Sequence, residues 1–239
     1  MVIEDLYIID DENLLFSASA AGSGNYHMDS VYKSKYKIGA SNVSPAESGS
    51  KIVEFIDPER VIHEGGAYVR IGNINRHGDI VYSKRGVGII GSTVKISSTK
   101  AHQPFQYEDK TYYTQCRDSA YADSIFCNNE EVFHLDDVNK YCGWKYGKSP
   151  YVEGGNPYVL GNIILFEANR FKCSHTTWET LAYDLETKQF KHLRDGAANP
   201  AYYKGNMFFC DMPNMPHARA HRVKAYDLTI VKDSEKKPI

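Results

Sequence analysis

One feature restricts this chain more than any other: it repeats itself. Ala182-Tyr183-Asp184-Leu185 recurs as Ala225-Tyr226-Asp227-Leu228, and Asn156-Pro157 recurs as Asn199-Pro200. Both matches have an offset of 43 residues (225 − 182 and 199 − 156). Two separate matches at one offset mark a structural repeat rather than chance. The unit is clearest from Tyr151 to Phe171. There Tyr158-Val159-Leu160 and Ile163 to Phe166 flank Gly161-Asn162. Two β-branched or aromatic runs joined by Gly-Asn predict a hairpin, and their continuous apolar character predicts strands buried on both faces.

The same outline appears elsewhere. Glu64-Gly65-Gly66 precedes Tyr68-Val69 and Gly72-Asn73, as Glu153-Gly154-Gly155 precedes Tyr158-Val159 and Gly161-Asn162. Leu6 to Ile9 and Leu14 to Phe16 flank the turn Asp10 to Asn13, and Gln103-Pro104-Phe105 leads into Thr111-Tyr112-Tyr113. Units therefore open near Asp5, Gly66, Gln103, Asn156 and Asn199. No window of about 11 residues carries a helical apolar stripe, so no helix is expected. Lys51 to Ile56 reads as a strand stopped by Asp57-Pro58. Five units of roughly four strands predict an all-β fold, a single-domain five-bladed β-propeller with four antiparallel strands per blade, residues 1–239. A β-sandwich is the competing architecture, but it requires no periodic motif. The N-terminal segment is expected to help close the ring.

Composition narrows the function. A formal net charge of −2 provides no basic field for nucleic acid. Five cysteines, with no CxxC spacing, read as reduced thiols rather than a disulfide framework or a zinc site. No cofactor motif is present, and His217-Ala218-Arg219-Ala220-His221 reads as a solvated loop rather than a metal site. The N-terminus is interrupted at once by acidic residues and no apolar run is long enough to span a membrane. The expectation is no signal peptide and a cytoplasmic or virion-associated location. Tyrosine, at 18 of 239 residues, suits both strands and sugar-binding surfaces, where a flat ring packs on a pyranose face.

In a propeller, residues at the entry to each innermost strand converge on a central funnel. Here those positions hold Asp5, Glu64, His102 or Gln103, Glu153 and Asn199. Carboxylates gathered in one funnel are costly unless solvated, paired or shifted in pKa, which makes them functional candidates. Asp5 before a Tyr-containing strand, Gln103-Pro104-Phe105 in the third unit and Glu153-Gly154-Gly155-Asn156-Pro157-Tyr158 in the fourth carry a resemblance. The chain resembles the five-bladed β-propeller glycoside hydrolases of the arabinanase and β-xylosidase type. Leu6 stands where that family has a proline, and Gln103 where it has an aspartate. Near Ala67-Tyr68-Val69 no Ala-Pro-Asp counterpart of its second-blade aspartate is found; Glu64, Asp29 and Asp118 are the acids that could approach. His175 and His217 are stand-ins for its later histidine.

The resemblance implies that Asp5 is the general base and Glu153 the general acid. Glycosidic cleavage needs one protonated and one ionised carboxyl group, held about 6.5–9.5 Å apart for inversion. Glu64, Tyr7, Tyr158, Arg170 and Trp144 are the candidate substrate contacts, with a carbohydrate as the ligand. Two alternatives stand beside this reading. Glu153 and Glu64 could be turn residues bonded to the amides of the glycines after them. The whole chain could be a non-catalytic propeller that binds a glycan or a protein by its loops.

Overall fold

The computed structural model describes residues 3–18, 29–39, 50–64, 69–84, 89–90, 94–95, 101–115, 124–142, 157–172, 175–195, 197–211 and 222–227. Strand dominates them. The order is β1 (Ile3–Ile8), β2 (Asn13–Ala18), β3 (Ser30–Gly39), β4 (Ser50–His63), β5 (Val69–Ile74), β6 (Ile80–Lys84), β7 (Ile89–Ile90), β8 (Val94–Lys95), β9 (Ala101–Tyr107) and β10 (Lys110–Gln115). It continues with β11 (Ser124–Cys127), β12 (Glu130–His134), helix α1 (Leu135–Cys142), β13 (Tyr158–Leu160), β14 (Ile163–Lys172), β15 (His175–Asp184), β16 (Phe190–Asp195), β17 (Ala197–Tyr203), β18 (Asn206–Asp211) and β19 (Arg222–Asp227). All pairings are antiparallel.

Three sheets have four strands: β5-β6-β7-β8, β9-β10-β11-β12 in reverse order, and β13-β14-β15-β16. The fourth has seven, in the order β1-β2-β3-β4-β19-β18-β17. The first and last units are thus joined through β4. Ile52 is opposite Gly39 on one side and Lys224 on the other. The joining strand is therefore β4, whereas the N-terminal β1 lies at the far edge of the same sheet.

The 43-residue repeat survives in the register. Leu165 pairs with Tyr158 and with Ala182; Phe208, 43 residues on, pairs with Ala201 and Ala225. Ile163 opposite Asp184 becomes Asn206 opposite Asp227. Equal sequence spacing has become equal position in three consecutive strands.

Burial falls from the first strands outward. β2 is buried on both faces after Asn13, β3 alternates, and most of β4 is exposed. This explains why β2 reads as an unbroken apolar run while β3 alternates with lysines. Neighbouring sheets share cores. Leu15 and Val31 pack with Val69 and Ile71. Phe105, Tyr112 and Phe133 pack with Val159, Ile164 and Phe166. The two ends of the seven-stranded sheet also meet, where Ile8, Leu14 and Phe16 pack with Ala201 and Phe208. Each fully buried aromatic such as Phe166 contributes on the order of 1.5–3 kcal/mol. Between β5 and β9 the approach is closer than side chains allow: a Cβ on Gly72 would sit 1.7 Å from the Pro104 carbonyl oxygen. Next to that contact, Asn73 Nδ2 donates to the Gln106 carbonyl at 2.6 Å, and the Gln106 amide donates to Asn73 Oδ1 at 3.0 Å. Along the chain, β1 lies against β5, β5 against β9, β9 against β13, β13 against β17, and β17 against β1.

Two expectations are corrected. A helix does form, α1, within a span of eight residues, shorter than the window that periodicity needs. It starts by local capping: the Asp136 amide donates to His134 Nδ1 at 3.1 Å, and the His134 amide donates to Asp137 Oδ2 at 3.1 Å. Nor does β4 stop at Asp57-Pro58. Its register shifts opposite Lys33 and Lys35, and Asp57 takes a positive φ of 49°. A β-bulge absorbs the proline, and the strand runs on to His63. Among the described residues, no helix is long and apolar enough to cross a membrane.

Candidate functional site

The entry positions of the first strands share one local device. In β1, β9 and β17 the pairing register slips, between Ile3 and Leu6, opposite Tyr112 and Thr114, and between Ala198 and Ala201. Asp5, Gln103 and Asn199 lie at these irregularities, and all three are buried. Gln103 and Asn199 have φ of 50° and 51°, a left-handed conformation costing about 1–2 kcal/mol for a non-glycine residue. Strain of this kind persists where surrounding contacts hold it.

Those contacts are polar. Thr114 Oγ1 donates to Gln103 Oε1 at 3.1 Å, and the Gln103 amide donates to Ser83 Oγ at 3.3 Å. The Asn199 amide donates to Glu167 Oε2 at 2.7 Å. Ser83 and Glu167 each belong to the second strand of the preceding sheet, so the same tie is made twice. Glu167, Ser83 and Thr114 are all buried.

Asp5 is the most heavily engaged. Its carboxylate accepts from Arg70 Nε at 3.0 Å to both oxygens, and Arg70 Nη2 lies 2.8 Å from Oδ1. Ser17 Oγ donates to Oδ2 at 2.9 Å, and so does the Ile71 amide at 2.9 Å. Ser17 Oγ also accepts from the Asp5 amide at 3.0 Å. Arg70 Nη2 then reaches Asn199 Oδ1 at 3.2 Å. The Asp5 side chain is 0% exposed and that of Arg70 13%. One buried ion pair thus fastens β1 to β5 and, through Asn199, to β17.

The chemistry follows from counting acceptor sites. A carboxylate offers roughly four lone-pair directions. Asp5 receives a forked guanidinium, a hydroxyl and an amide, and it has no exposed surface. A general base must reach a water on the substrate. In this arrangement the acceptor sites of the Asp5 carboxylate are taken by Arg70, Ser17 and Ile71.

The remaining sequence candidates are spread out. Glu64 lies just after β4, where its amide donates to the Asp29 carbonyl at 2.8 Å and its Oε1 accepts from Tyr82 Oη at 3.1 Å. Burial and the Glu64 carboxylate push the Tyr82 phenol up. Tyr7 and Tyr158 come together, with ring centroids 6.2 Å apart. Tyr158 Oη donates to the Tyr202 carbonyl at 2.6 Å, and its ring meets Phe105 at 4.8 Å. Burial raises the pKa of both phenols above the usual tyrosine value. Arg170 lies on β14 opposite Thr177. Glu153 and Trp144, and with Glu153 the proposed acid–base separation, lie outside the described residues, as do Asp118 and His217. Among the described residues no cluster of three His, Cys, Asp or Glu side chains could hold a metal ion.

Sequence reasoning named Asp5, Gln103 and Asn199 but missed Arg70, Ser17, Ser83, Thr114 and Glu167. A signal for four of these was present. Leu14-Leu15-Phe16-Ser17, Ile80-Val81-Tyr82-Ser83, Thr111-Tyr112-Tyr113-Thr114 and Ile164-Leu165-Phe166-Glu167 each end a strand-forming run on a polar residue at the same place in the hairpin. Arg70 had no such marker. No family model matches the chain, and no curated protein matches it.

Proposed function

We propose that this chain is a five-bladed β-propeller that binds carbohydrate without hydrolysing it. The propeller reading is supported by the contacts among β1, β5, β9, β13 and β17, which return to their starting strand. In that reading the seven-stranded sheet is two blades, the first and the last, sharing β4 as their outer strand. The in-register 43-residue repeat supports it further.

The observation that carries the choice between binding and hydrolysis is Asp5. The resemblance to the arabinanase and β-xylosidase group assigns it the role of base, yet its carboxylate is buried and shared among Arg70, Ser17 and Ile71. The same position in β9 and β17 holds amide side chains, Gln103 and Asn199, whose backbone amides donate to Ser83 and Glu167 of the preceding sheet. That Asp, Gln and Asn all hold neighbouring strands from this repeated position supports a structural role for Asp5. Carbohydrate as the ligand rests on the tyrosine content and the near-neutral charge.

A glycan array with the purified chain tests the ligand class. Saturable binding to one glycan group, with no release of nitrophenol from aryl-glycosides, is the expected pair of results. No binding to any glycan overturns the carbohydrate reading and leaves a protein-binding scaffold.

A further inference from the structure

The start of β3 and the end of β4 hold a polar group that takes no part in the centre around Asp5. Ile3 is opposite Ala18, Ala18 opposite Ser30, and Ser30 opposite His63, so these residues stand in one row at the end of the sheet. Just beyond the row, the Glu64 amide donates to the Asp29 carbonyl at 2.8 Å. That bond closes the ladder and fixes the two backbones that carry Asp29, Ser30 and His63.

Ser30 Oγ donates to Asp29 Oδ1 at 2.9 Å and lies 3.1 Å from His63 Nδ1. A hydroxyl has one proton to give and a carboxylate has none, so the Ser30 proton goes to Asp29. Turning it toward the ring would leave two oxygens with facing lone pairs at 2.9 Å. Ser30 Oγ can then only accept from His63, which puts the ring proton on Nδ1. Asp29 Oδ2, 3.9 Å from Nδ1, draws it to the same side. The lone pair of the neutral ring is therefore on Nε2. Ser30 is fully buried, whereas the His63 side chain is 46% exposed. Two other histidines have this atom occupied: His77 Nε2 accepts from Arg76 Nε at 3.3 Å, and His192 Nε2 lies 3.6 Å from a Glu179 carboxylate oxygen. The neighbouring Glu64 carboxylate accepts from Tyr82 Oη at 3.1 Å. Among the described residues, no group bonds to His63 Nε2.

We propose that His63 is a nucleophilic site that takes an acyl group from an acid anhydride. Such a site needs an unprotonated nitrogen with open approach and a partner that holds the ring from behind. Nε2 attacks the carbonyl carbon, a C–N bond forms, and the bond from that carbon to the leaving oxygen breaks. The ring is then a cation, which the Asp29 carboxylate stabilises through Ser30 and directly from 3.9 Å. The Nδ1 proton goes to the departing carboxylate, and the acylated ring is left neutral. The site is separate from Asp5 and Arg70 and stands or falls independently of the reading given above.

Diethyl pyrocarbonate, the anhydride of two ethyl carbonates, is the probe. Peptide mass spectrometry follows each histidine of the full chain at about pH 8, where an ordinary imidazole is neutral. His63 is expected to gain its ethoxycarbonyl group about tenfold faster than His77 or His192, with ethanol and carbon dioxide released. The double variant Asp29→Ala/Ser30→Ala removes both acceptors and should slow His63 by about tenfold, leaving His77 and His192 unchanged. A second reading needs no altered relay. In long-range proton–nitrogen spectra of the wild-type chain, His63, assigned with His63→Gln, should show a protonated Nδ1 and a bare Nε2. A protonated Nε2, modification of His63 no faster than that of His77 and His192, or a rate indifferent to the loss of Asp29 and Ser30 overturns the proposal.

Discussion

Asp5 and Arg70 form a buried ion pair across two sheets, with the guanidinium Nη2 2.8 Å from the carboxylate and Nε bonded to both of its oxygens. Removing one partner strands the other charge in the interior. Arg70→Met should therefore destabilise the chain by about 3–5 kcal/mol. Pairing it with Asp5→Asn should recover part of that loss, because both charges are then gone. Urea unfolding of the two single variants and the double variant measures the coupling. Simple additivity would mean that the pair does not act as a unit.

Gly72 marks where two backbones meet. A methyl group there would sit 1.7 Å from the Pro104 carbonyl oxygen, which belongs to another strand's main chain and cannot rotate away. Gly72→Ala should cost about 1–3 kcal/mol or more, as overpacking does. Thermal melting of the variant gives the answer. A melting temperature equal to the parent's would show that β5 and β9 do not approach this closely.

The β1–β2 turn should respond to pH at both ends of the scale. Asp10 Oδ1 accepts the amides of Glu12 and Asn13, and these bonds hold its carboxyl below the usual value of 3.8. The folded state then binds fewer protons, so this contribution is present above 3.8 and lost as the pH falls through the lower folded value. Tyr36 Oη donates to the Asp10 carbonyl at 3.1 Å, and burial, with the Asp11 charge, pushes its phenol up to about 12. That contribution is present below pH 10 and lost as the pH rises toward 12. Asp10→Asn should flatten the acid limb of a stability–pH profile, and Tyr36→Phe the alkaline limb. A profile unchanged in both variants would contradict the assignment.

The joining of β4 to β19 predicts shared protection. Ile52 pairs with Gly39 and Lys224, so opening the β4–β19 ladder exposes both the first and the last unit. Amides at 51–52 and 224–226 should exchange hydrogen with one common opening free energy. If the 222–227 segment exchanges much faster than β4, the two units are not held as one sheet.

Much of this architecture could be read from local chemistry. Gly161-Asn162 and Asp10 to Asn13 turned where their residues require, and the 43-residue offset became a shared register. What escaped was either too short or too distant. Helix α1 is held by the caps His134 and Asp137 rather than by an apolar stripe. Pro58 stays in β4 because a bulge at Asp57 takes the distortion, which a strand-breaking rule does not foresee. At the polar centre, Asp5 was legible as a carboxylate at a strand entry, but Arg70 lies 65 residues away. Only the fold brings them together, and on the function proposed above that meeting makes Asp5 a buried anchor rather than a solvated base.

The most direct measurement is turnover by the wild-type chain on a panel of aryl-glycosides. If Asp5 serves the fold, nitrophenol release will not exceed the buffer rate on any of them. Release above that rate, cut by about a hundredfold or more in Glu153→Gln, would contradict the account and restore the acid–base reading.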